Sequence, residues 1–515
     1  MSTIQLLLTY KKVLISFVSL MMLYGCASGP SRLTDELLPA ETGLMLMQVV
    51  RNDNVEGPKI NAIEVWSFKE KRVYEIRPSQ VGAMSTSVFM HKLPPGKYRV
   101  DALLSVTTGV NVVLTKTIPL NELLDTFNVK SGQLTDLGTL VYTPANREWV
   151  NNNFNIKRTD TKKESKRIMK YHYPVISNQV YKKPVLSWDS KVPKNERLDV
   201  VKNKKNPARF NNPKVTNKGE VIAGSRLGQV LVRSRNGQWK VHDTGYLWEI
   251  YDVLALKDGR LLAASDHGLL LLSDKRRKKW KVLNTPSKAP IMSIAFDNNG
   301  ALLAVTRIES TYSFDIKLYK TRSITKPKWV EYPDSVQLLW KNNESLLAKN
   351  GIMISDIPAA IFVHDGKKWD RNGIVSFGFT TEEWFGRMHE LDGGIFYYAA
   401  KSNLQYGKNE LGHTFRWSKD NGVTWGNIKV WPETEGLIDV FFINKKTGYA
   451  LLANKDRYYS ASTNDGGINW VNKGSIKIKP SGLIAVNNGK TILAYNDLGT
   501  VYGSRNGGKS WKLER

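Results

Sequence analysis

A single cysteine, Cys26, is the only thiol in this chain of 515 residues. One thiol makes neither an internal disulfide nor a cysteine-based zinc site, so Cys26 needs another purpose. It follows a short basic start, Lys11-Lys12, and an apolar run over residues 13–23 that is too short to span a bilayer. A basic start, a short apolar run and a small residue before the break predict a secretory signal over residues 1–25.

The segment Leu23-Tyr24-Gly25-Cys26 resembles the lipobox of bacterial lipoproteins, with Tyr24 bulkier than is usual at its position. The resemblance implies that Cys26 is diacylated and becomes the mature N-terminus, with residues 26–42 as a tether. By the sorting rule of Gram-negative lipoproteins, Ala27 rather than aspartate implies the outer membrane, on its periplasmic or its surface face. Acyl chains hold a protein on a membrane without a spanning helix. The alternative is an uncleaved signal anchor with an incidental cysteine.

A second set of residues that could bind a ligand lies in three long connections between predicted strands. These connections are residues 306–315, 372–389 and 401–413, and Glu390 directly follows the second of them. The members of the set are Arg307, Glu309, Tyr312, Trp384, Arg387, His389, Glu390 and Tyr406. Aromatic faces beside arginines and carboxylates suit a sugar or a peptide, and this set is the predicted binding face. The alternative is that these connections only cover the mouth of the fold, with His389 a hydrogen-bonded neighbour rather than a base or a ligand.

The elements that would position this set come from an internal repeat between residues 206 and 515. Tryptophans recur at intervals of 40 to 56 residues, each after two apolar runs separated by a glycine turn. The repeating tryptophans are Trp239, Trp280, Trp329, Trp369, Trp425, Trp470 and Trp511. Four short strands in about 40–45 residues cannot bury their faces alone, but they stack radially as propeller blades. The repeat predicts a seven-bladed β-propeller in an all-β protein.

The last three repeats resemble the Asp-box, or BNR repeat, of sialidase-like and YCF48-like propellers. Ser418-Lys419-Asp420-Asn421-Gly422-Val423-Thr424-Trp425 matches the pattern in full. Two partial matches share its register. Their matching residues are Thr463, Asp465, Gly467 and Trp470, and then Ser504, Asn506, Gly508 and Trp511. The chemistry of this turn is structural, because the acid accepts backbone N–H bonds and the tryptophan packs between blades. In propellers of this kind, the resemblance implies that ligands meet the opposite face.

Two segments precede the repeat. Residues 43–145 hold short β-like runs and a Pro94-Pro95-Gly96 turn, and they resemble small Ig-like or transthyretin-like sandwich modules. Residues 146–210 carry seventeen Lys and Arg against six Asp and Glu, a large share of the chain's net charge of +28. A solvated basic linker over residues 146–205 is one interpretation. The other is a basic strap on lipid phosphates or an acidic polysaccharide.

These observations favour a membrane-anchored, non-catalytic binding or assembly module for a protein, an anionic glycan or lipopolysaccharide. The alternative is a sialidase-like glycoside hydrolase, which would need an arginine trio, a Tyr–Glu nucleophile pair and an acid. Arg226, Arg307, Arg387 and Arg457 are candidates for such a trio, although the Arg-Ile-Pro entry motif is absent. A structural envelope role is a third possibility. No phosphate loop, metal-ligand cluster or serine elbow occurs, so no cofactor or metal is predicted, and export excludes nucleic acid as a partner.

Overall fold

The structure is a computed structural model, and it describes most of the chain from Leu33 to Arg515. The described ranges are 33–52, 60–79, 85–108, 113–120, 123–144, 154–160, 162–297, 299–309, 314–331, 336–338, 345–348, 351–356, 360–364, 369–374, 381–391, 395–404, 413–419, 424, 426–431, 436–455, 457–496 and 498–515. In parts of residues 106–114, 308–315 and 336–431 only the backbone of the strands is described. Cys26 and the predicted signal peptide lie outside these ranges.

The N-terminal part is a β-sandwich. Its strands are β1 (Gly43–Arg51), β2 (Ala62–Ser67), β3 (Arg72–Ile76), β4 (Thr86–Leu93), β5 (Gly96–Thr108), β6 (Val113–Pro119), β7 (Thr126–Val129), β8 (Leu134–Pro144) and β9 (Phe154–Thr159). One sheet has the order β4-β1-β8-β9, with β1 and β8 parallel, and the other has the order β3-β2-β5-β6 with β7 beside β5. β1 is buried on both sides. Since side chains alternate along a strand, Met45, Met47 and Val49 enter the sandwich core while the residues between them face outward.

Three helices follow, and they correct the interpretation of residues 146–205 as a solvated linker. They are α1 (Lys162–His172), α2 (Pro174–Val180) and α3 (Lys194–Lys205). α1 and α2 bury Ile168, Met169, Ile176 and Val180 in one core with the outward side chains of β1. Each of these two helices buries two apolar side chains, and the lysines of α1 lie on its exposed side. None of the described helices is long and apolar enough to cross a membrane.

The rest of the described chain folds as a β-propeller of successive four-stranded antiparallel sheets. Sheet 1 is β10 (Asn211–Val215), β11 (Val221–Gly224), β12 (Gln229–Arg233) and β13 (Trp239–Asp243), and sheet 2 is β14 (Ile250–Ala255), β15 (Leu261–Ser265), β16 (Leu270–Ser273) and β17 (Trp280–Val282). Sheet 3 is β18 (Ile291–Phe296), β19 (Leu302–Glu309), β20 (Phe314–Thr321) and β21 (Val330–Glu331), with β22 (Val336–Leu338) also pairing β20, and sheet 4 is β23 (Ser345–Ala348), β24 (Gly351–Asp356), β25 (Ala360–His364) and β26 (Trp369–Ile374). Sheet 5 is β27 (Thr381–Leu391), β28 (Ile395–Leu404), β29 (His413–Ser418) and β30 (Gly426–Trp431), sheet 6 is β31 (Gly436–Phe442), β32 (Gly448–Asn454), β33 (Arg457–Thr463) and β34 (Val471–Ile476), and sheet 7 is β35 (Gly482–Val486), β36 (Thr491–Tyr495), β37 (Val501–Ser504) and β38 (Lys512–Leu513).

Because the strands in each sheet follow chain order, the molecule has two distinct faces. The strand 2–3 face carries the turns between second and third strands and the connections between sheets. The strand 1–2 face carries the turns between first and second strands and those between third and fourth strands. The Asp-box turns therefore lie on the strand 1–2 face.

Sheet 1 and sheet 7 contact each other directly. Arg233 pairs in a fork with Glu514, with Nε–Oε2 at 2.6 Å and Nη2–Oε1 at 2.8 Å. The rings of Phe210 and Tyr495 lie 4.9 Å apart in a core that both sheets share. All four strands of sheet 7 come from the C-terminal residues, and residues 185–188 do not complete this sheet. Trp188 instead donates its indole N–H to Leu137 O in the sandwich, at 2.8 Å.

The two Asp-box turns that are fully described build the same hydrogen-bond frame. In the first, Asp465 Oδ1 accepts the Asn469 N–H at 3.0 Å, and the Trp470 indole donates to Gly467 O at 2.8 Å. The backbone bond from Asn469 is the main reason that the pKa of Asp465 falls to about 2. In the second turn Asn506 and Trp511 make the equivalent bonds, at 2.9 and 3.0 Å. Asp420, Gly422 and Trp425 of the third turn lie outside the described residues, while Ser418 is buried and Thr424 is exposed.

Candidate functional site

The sandwich and helices dock on the strand 2–3 face of sheets 1 and 2, which we call the docked face. Asp266, in the turn between β15 and β16, is its centre. Its Oδ2 accepts the Ser85 hydroxyl at 2.9 Å and the Thr86 N–H at 3.2 Å, both from the sandwich. Its Oδ1 accepts the Tyr251 hydroxyl at 2.6 Å. This short turn is therefore a point where the sandwich attaches to the propeller.

A buried chain of polar groups crosses the docked face. The Trp248 indole donates to Gln48 Oε1 at 2.9 Å, Gln48 Nε2 donates to Ser165 Oγ at 3.3 Å, and Ser165 donates to Asp136 Oδ1 at 2.8 Å. Beside it, Glu164 accepts the Leu247 N–H at 3.0 Å. Burial raises the pKa of Glu164 to about 7 and the pKa of Asp136 to about 6. Satisfied buried networks of this kind specify one docking geometry.

Two histidines complete the docked face. His172, at the end of α1, and His267, in the turn of sheet 2, have ring centroids 5.4 Å apart, and His267 lies 4.5 Å from the Trp248 ring. Burial lowers the pKa of His267 to about 3 and, with the nearby His267, Lys288 and Arg167, lowers the pKa of His172 to about 2. Both rings are therefore neutral at pH 7, as their close approach requires.

The predicted binding face starts on sheet 3, next to the docked sheets. Arg307 is buried near the end of β19, and its backbone N–H donates to Pro290 O at 3.1 Å. Glu309 ends the same strand and pairs with Phe314, while its side chain lies outside the described set. Tyr312 and Tyr406 lie outside the described residues.

The rest of the predicted face falls on β27, the innermost strand of sheet 5, and not in a loop as residues 372–389 were predicted. The backbones of Trp384 and Arg387 belong to its first part, towards the strand 2–3 face. His389 and Glu390 stand directly before Leu391, where the strand ends on the opposite face. Their assignment to the strand 2–3 face is therefore wrong, because β27 continues for eleven residues where the other described innermost strands have four to seven.

The hairpins of sheets 3 and 5 are longer than their counterparts. β19 and β20 pair through eight residues, whereas β15 and β16 pair through three. β27 and β28 pair through nine residues, whereas β14 and β15 pair through five. The extra pairs extend these ladders at the strand 2–3 end, so paired strands occupy much of what the sequence predicted as long connections.

His389 takes part in a contact between blades. Its Nε2 lies 3.2 Å from Oδ1 of Asp439, a buried residue of β31. Asp439 also accepts its neighbour's N–H, from Val440, at 2.9 Å, and the Leu483 N–H from sheet 7 at 2.8 Å. One carboxylate thereby connects the innermost strands of sheets 5, 6 and 7. We call it an inter-blade clamp.

The same clamp recurs on the other side of the propeller. Asp252, buried in β14, accepts the Lys214 ammonium at 2.7 Å from sheet 1. It also accepts the Ser293 hydroxyl at 3.0 Å and the Ile294 N–H at 2.8 Å, both from sheet 3. This repetition explains the contact of His389 as a structural one, and the sequence signal for it is an aspartate inside an otherwise apolar innermost strand.

The candidate arginines for a carboxylate-binding trio differ in their surroundings, and the side chain of Arg387 lies outside the described set. Arg226 is buried and pairs with Glu249, with Nη1–Oε2 at 3.1 Å. Asn211 also donates to Glu249, at 2.8 Å, so this carboxylate holds Arg226 in place. Arg457 begins β33 and is exposed. Among the described residues no three His, Cys, Asp or Glu side chains come together as a metal site.

A cavity of about 750 Å³ opens on the strand 1–2 face, at the ends of the innermost strands of sheets 1, 5, 6 and 7. Four basic residues line it: Lys218, Arg235, Lys445 and Lys490. Phe441 and Leu391 contribute apolar lining. Sequence reasoning missed this cavity, because its basic residues are spread over three turns of sheets 1, 6 and 7 and one Asp-box-like turn.

These features define a β-propeller whose first two sheets carry a docked β-sandwich and helices. No protein-family model matches the chain, and no curated protein matches it either. Three solved structures are similar in fold. YCF48 bound to D1 peptide has 12% identity and a TM-score of 0.43, covering 57% of this chain and 92% of that chain. Kuenenia stuttgartiensis hydrazine synthase has 9% identity and a TM-score of 0.39, covering 59% and 96%. A chain of the mitotic checkpoint complex has 11% identity and a TM-score of 0.39, covering 57% and 86%.

Proposed function

We propose that this chain is an envelope lipoprotein, anchored through Cys26 in the outer membrane of a Gram-negative bacterium, whose propeller is a non-catalytic binding and assembly module. Its seven sheets would be the blades of one closed ring. The partner is a protein or an anionic glycan held on the strand 2–3 face of sheets 3 to 5, in the sector that includes Trp384 and Arg387.

The observation that carries this proposal is the division of the strand 2–3 face. On sheets 1 and 2 the face is filled by the docked sandwich and helices, through Asp266 and the Trp248–Gln48 bond. On sheets 3 and 5 the strand pairing continues further at the strand 2–3 end. Paired strands next to a filled part of the face offer a preorganised surface, and preorganisation lowers the entropic cost of binding a partner.

The buried pair between Arg226 and Glu249 supports binding over hydrolysis. A sialidase-like site would need arginines directed at a substrate carboxylate, and Arg226 already pairs with a protein carboxylate. Glycoside hydrolysis stays the alternative function, and the partner experiment below is designed to distinguish the two.

Replacing Cys26 by serine is expected to release the protein from the membrane. The serine hydroxyl is not a substrate for the thioether-forming lipidation that the lipobox implies, so the acyl chains that supply the affinity are lost. The measurement is the partition of the protein between membrane and soluble fractions, with intact-mass analysis of the mature N-terminus. Recovery of the Cys26→Ser protein in the membrane fraction with residues 1–25 removed would contradict lipid anchoring.

The double variant Trp384→Ala/Arg387→Ala is expected to lose the partner. A buried aromatic or arginine anchor typically contributes about 2 kcal/mol or more to an interface, so losing two should weaken a complex by well over tenfold. The measurement is a pull-down of the tagged, lipidated protein from detergent-solubilised envelopes, with quantitative mass spectrometry of stoichiometric partners. The matched control is Ile468→Ala/Arg505→Ala, which removes an exposed apolar residue and an exposed arginine on the opposite face.

Two results would overturn the binding proposal. One is a partner retained equally by both variants, which would place the interface elsewhere. The other is the absence of any stoichiometric partner together with sugar release from envelope glycans by the purified protein, which would establish the hydrolase.

A further inference from the structure

The cavity on the strand 1–2 face, which we call the basic cavity, is distinct from the surface proposed above. It lies at the opposite ends of the innermost strands, between the strand 1–2 turns of sheets 1, 6 and 7. Its volume of about 750 Å³ falls within the range of small-molecule sites. The turns of sheets 1 and 7 meet directly here, since a Cβ on Gly219 would lie 3.3 Å from Asn487 Oδ1.

The charge of the basic cavity has one sign. Lys218, Arg235, Lys445 and Lys490 line it, and none of its described lining residues is acidic. All four side chains are exposed, and none makes an ion pair with a described residue. Two other basic residues towards the strand 1–2 face, Lys320 and Arg277, are by contrast neutralised by Asp297 and Glu220. Like charges held together without counter-charges create a strong positive potential in a concave site.

The remaining polar lining is equally suited to an anion. Four asparagines contribute amide groups, which donate hydrogen bonds without adding negative charge. They are Asn217, Asn444, Asn487 and Asn488. Asn487 and Asn488 hold positive φ values of 54° and 53°, a turn conformation that asparagine tolerates better than most residues. Their positions are therefore set by the backbone of the turn.

We propose that the basic cavity binds a small, multiply charged anion that carries phosphate or carboxylate groups. Lysine ammonium groups act as point charges on such a ligand, and Arg235 adds a planar donor that matches a phosphate or a carboxylate in two parallel bonds. Phe441 and Leu391 provide the apolar floor against which the non-polar part of an organic anion packs. This site operates independently of the partner surface on the strand 2–3 face.

The test uses the full-length, lipidated protein in a neutral detergent. Titrations with tripolyphosphate and with citrate, followed by calorimetry, measure binding of the two chemistries separately. Saturable binding of either at one site per chain is expected, with an affinity that falls as KCl is raised, because exposed charges are screened by salt. Binding of tripolyphosphate alone identifies a phosphate site, and binding of citrate alone a carboxylate site. Binding of neither overturns the proposal.

The decisive comparison is between two variants of equal charge change. Lys445→Glu/Lys490→Glu is expected to raise the Kd by roughly tenfold or more, because it reverses the potential of the cavity. Lys240→Glu/Lys479→Glu changes the net charge equally at exposed sites outside the cavity, and it should leave the Kd within about twofold. Equal weakening in both would mean that the anion responds only to net charge, and would overturn the site. If the reversal variant has a lowered Tm without ligand, Lys445→Gln/Lys490→Gln takes its place with the same expectation.

Discussion

Replacing Asp439 by alanine is expected to lower the free energy of unfolding of the propeller by roughly 3 to 5 kcal/mol, because it leaves several buried donors without an acceptor. The carboxylate accepts the N–H groups of Val440 and Leu483, and it lies 3.2 Å from His389 Nε2. Asp439 is completely buried, so water does not replace these bonds unless the blades separate. The loss combines unsatisfied polar groups with a small void at the contact of three sheets.

The measurement is equilibrium unfolding in guanidinium chloride, followed by tryptophan fluorescence. Asp439→Asn keeps the side-chain shape and one acceptor oxygen, so its loss should be about half as large. The matched control is Asp258→Ala in the exposed turn of sheet 2, which should change stability by no more than about 0.5 kcal/mol. Because Asp252 makes the corresponding contacts with sheets 1 and 3, Asp252→Ala should behave like Asp439→Ala. A loss below about 1 kcal/mol in both would refute the clamp.

The sequence repeat made the propeller fold predictable, but it did not predict the contacts between neighbouring blades. Each sheet is built from neighbouring residues, and a turn such as Asp258-Gly259 is a local signal, with Gly259 at a φ of +90°. The clamp joins Asp439 to Leu483, 44 residues later, and a lone aspartate in an apolar run carries no sign of its partner. Local chemistry is therefore visible in the sequence, while contacts between repeats are not.

The basic segment shows how composition misleads when few residues decide the packing. Its lysines predict a solvated chain, yet Ile168 and Met169 of α1 are fully buried against β1 and sheet 2. The complementary signal was in β1, where nine successive residues have no exposed side. A strand that is apolar on both of its sides needs a layer of protein against each side. For β1 the second layer consists of α1 and sheets 1 and 2 of the propeller.

The conformation predicted for part of the candidate binding face was wrong for a different reason. Residues 381–391 mix aromatic, acidic and basic residues without the clean apolar alternation of the other innermost strands, and this pattern predicts a loop. The structure continues the strand through them, because pairing with β28 satisfies the backbone whichever side chains it carries. The side chains of this segment therefore predicted its conformation wrongly, and the binding chemistry assigned to them stays a prediction.

Acidification is expected to destabilise the docked face steeply, but only below about pH 4. Burial lowers the pKa of His267 from 6.5 to about 3, and the pKa of His172 to about 2. In the unfolded chain the two histidines therefore become protonated near pH 6.5, whereas in the folded chain they become protonated only at much lower pH. The stability from these two neutral rings is complete above pH 6.5 and is lost as the pH falls towards 3.

Two carboxyl groups in the same interface oppose this loss over the first part of the range. The pKa of Glu164 is raised to about 7 from 4.5, and the pKa of Asp136 to about 6 from 3.8, both by burial. Here the folded state binds the extra protons, so stability rises as the pH falls from 7 to about 4. Below that the two carboxyls are protonated in both states and the offset ends. Of these four groups only the histidines then still contribute, with a slope of at most about 2.7 kcal/mol per pH unit for two protons.

The measurement is the free energy of unfolding between pH 7.5 and 3, compared with that of His172→Gln/His267→Asn. Asparagine suits position 267 because His267 has a φ of +53°. Whatever its stability at pH 7, the variant should lose the steep limb below pH 4 and gain stability on going from pH 7 to 5, since only the opposing Glu164 and Asp136 remain. His242→Gln, a half-buried histidine outside the docked face, should keep the steep limb. Parallel pH profiles of the wild type and the double variant would show that the buried pair does not couple docking to protonation.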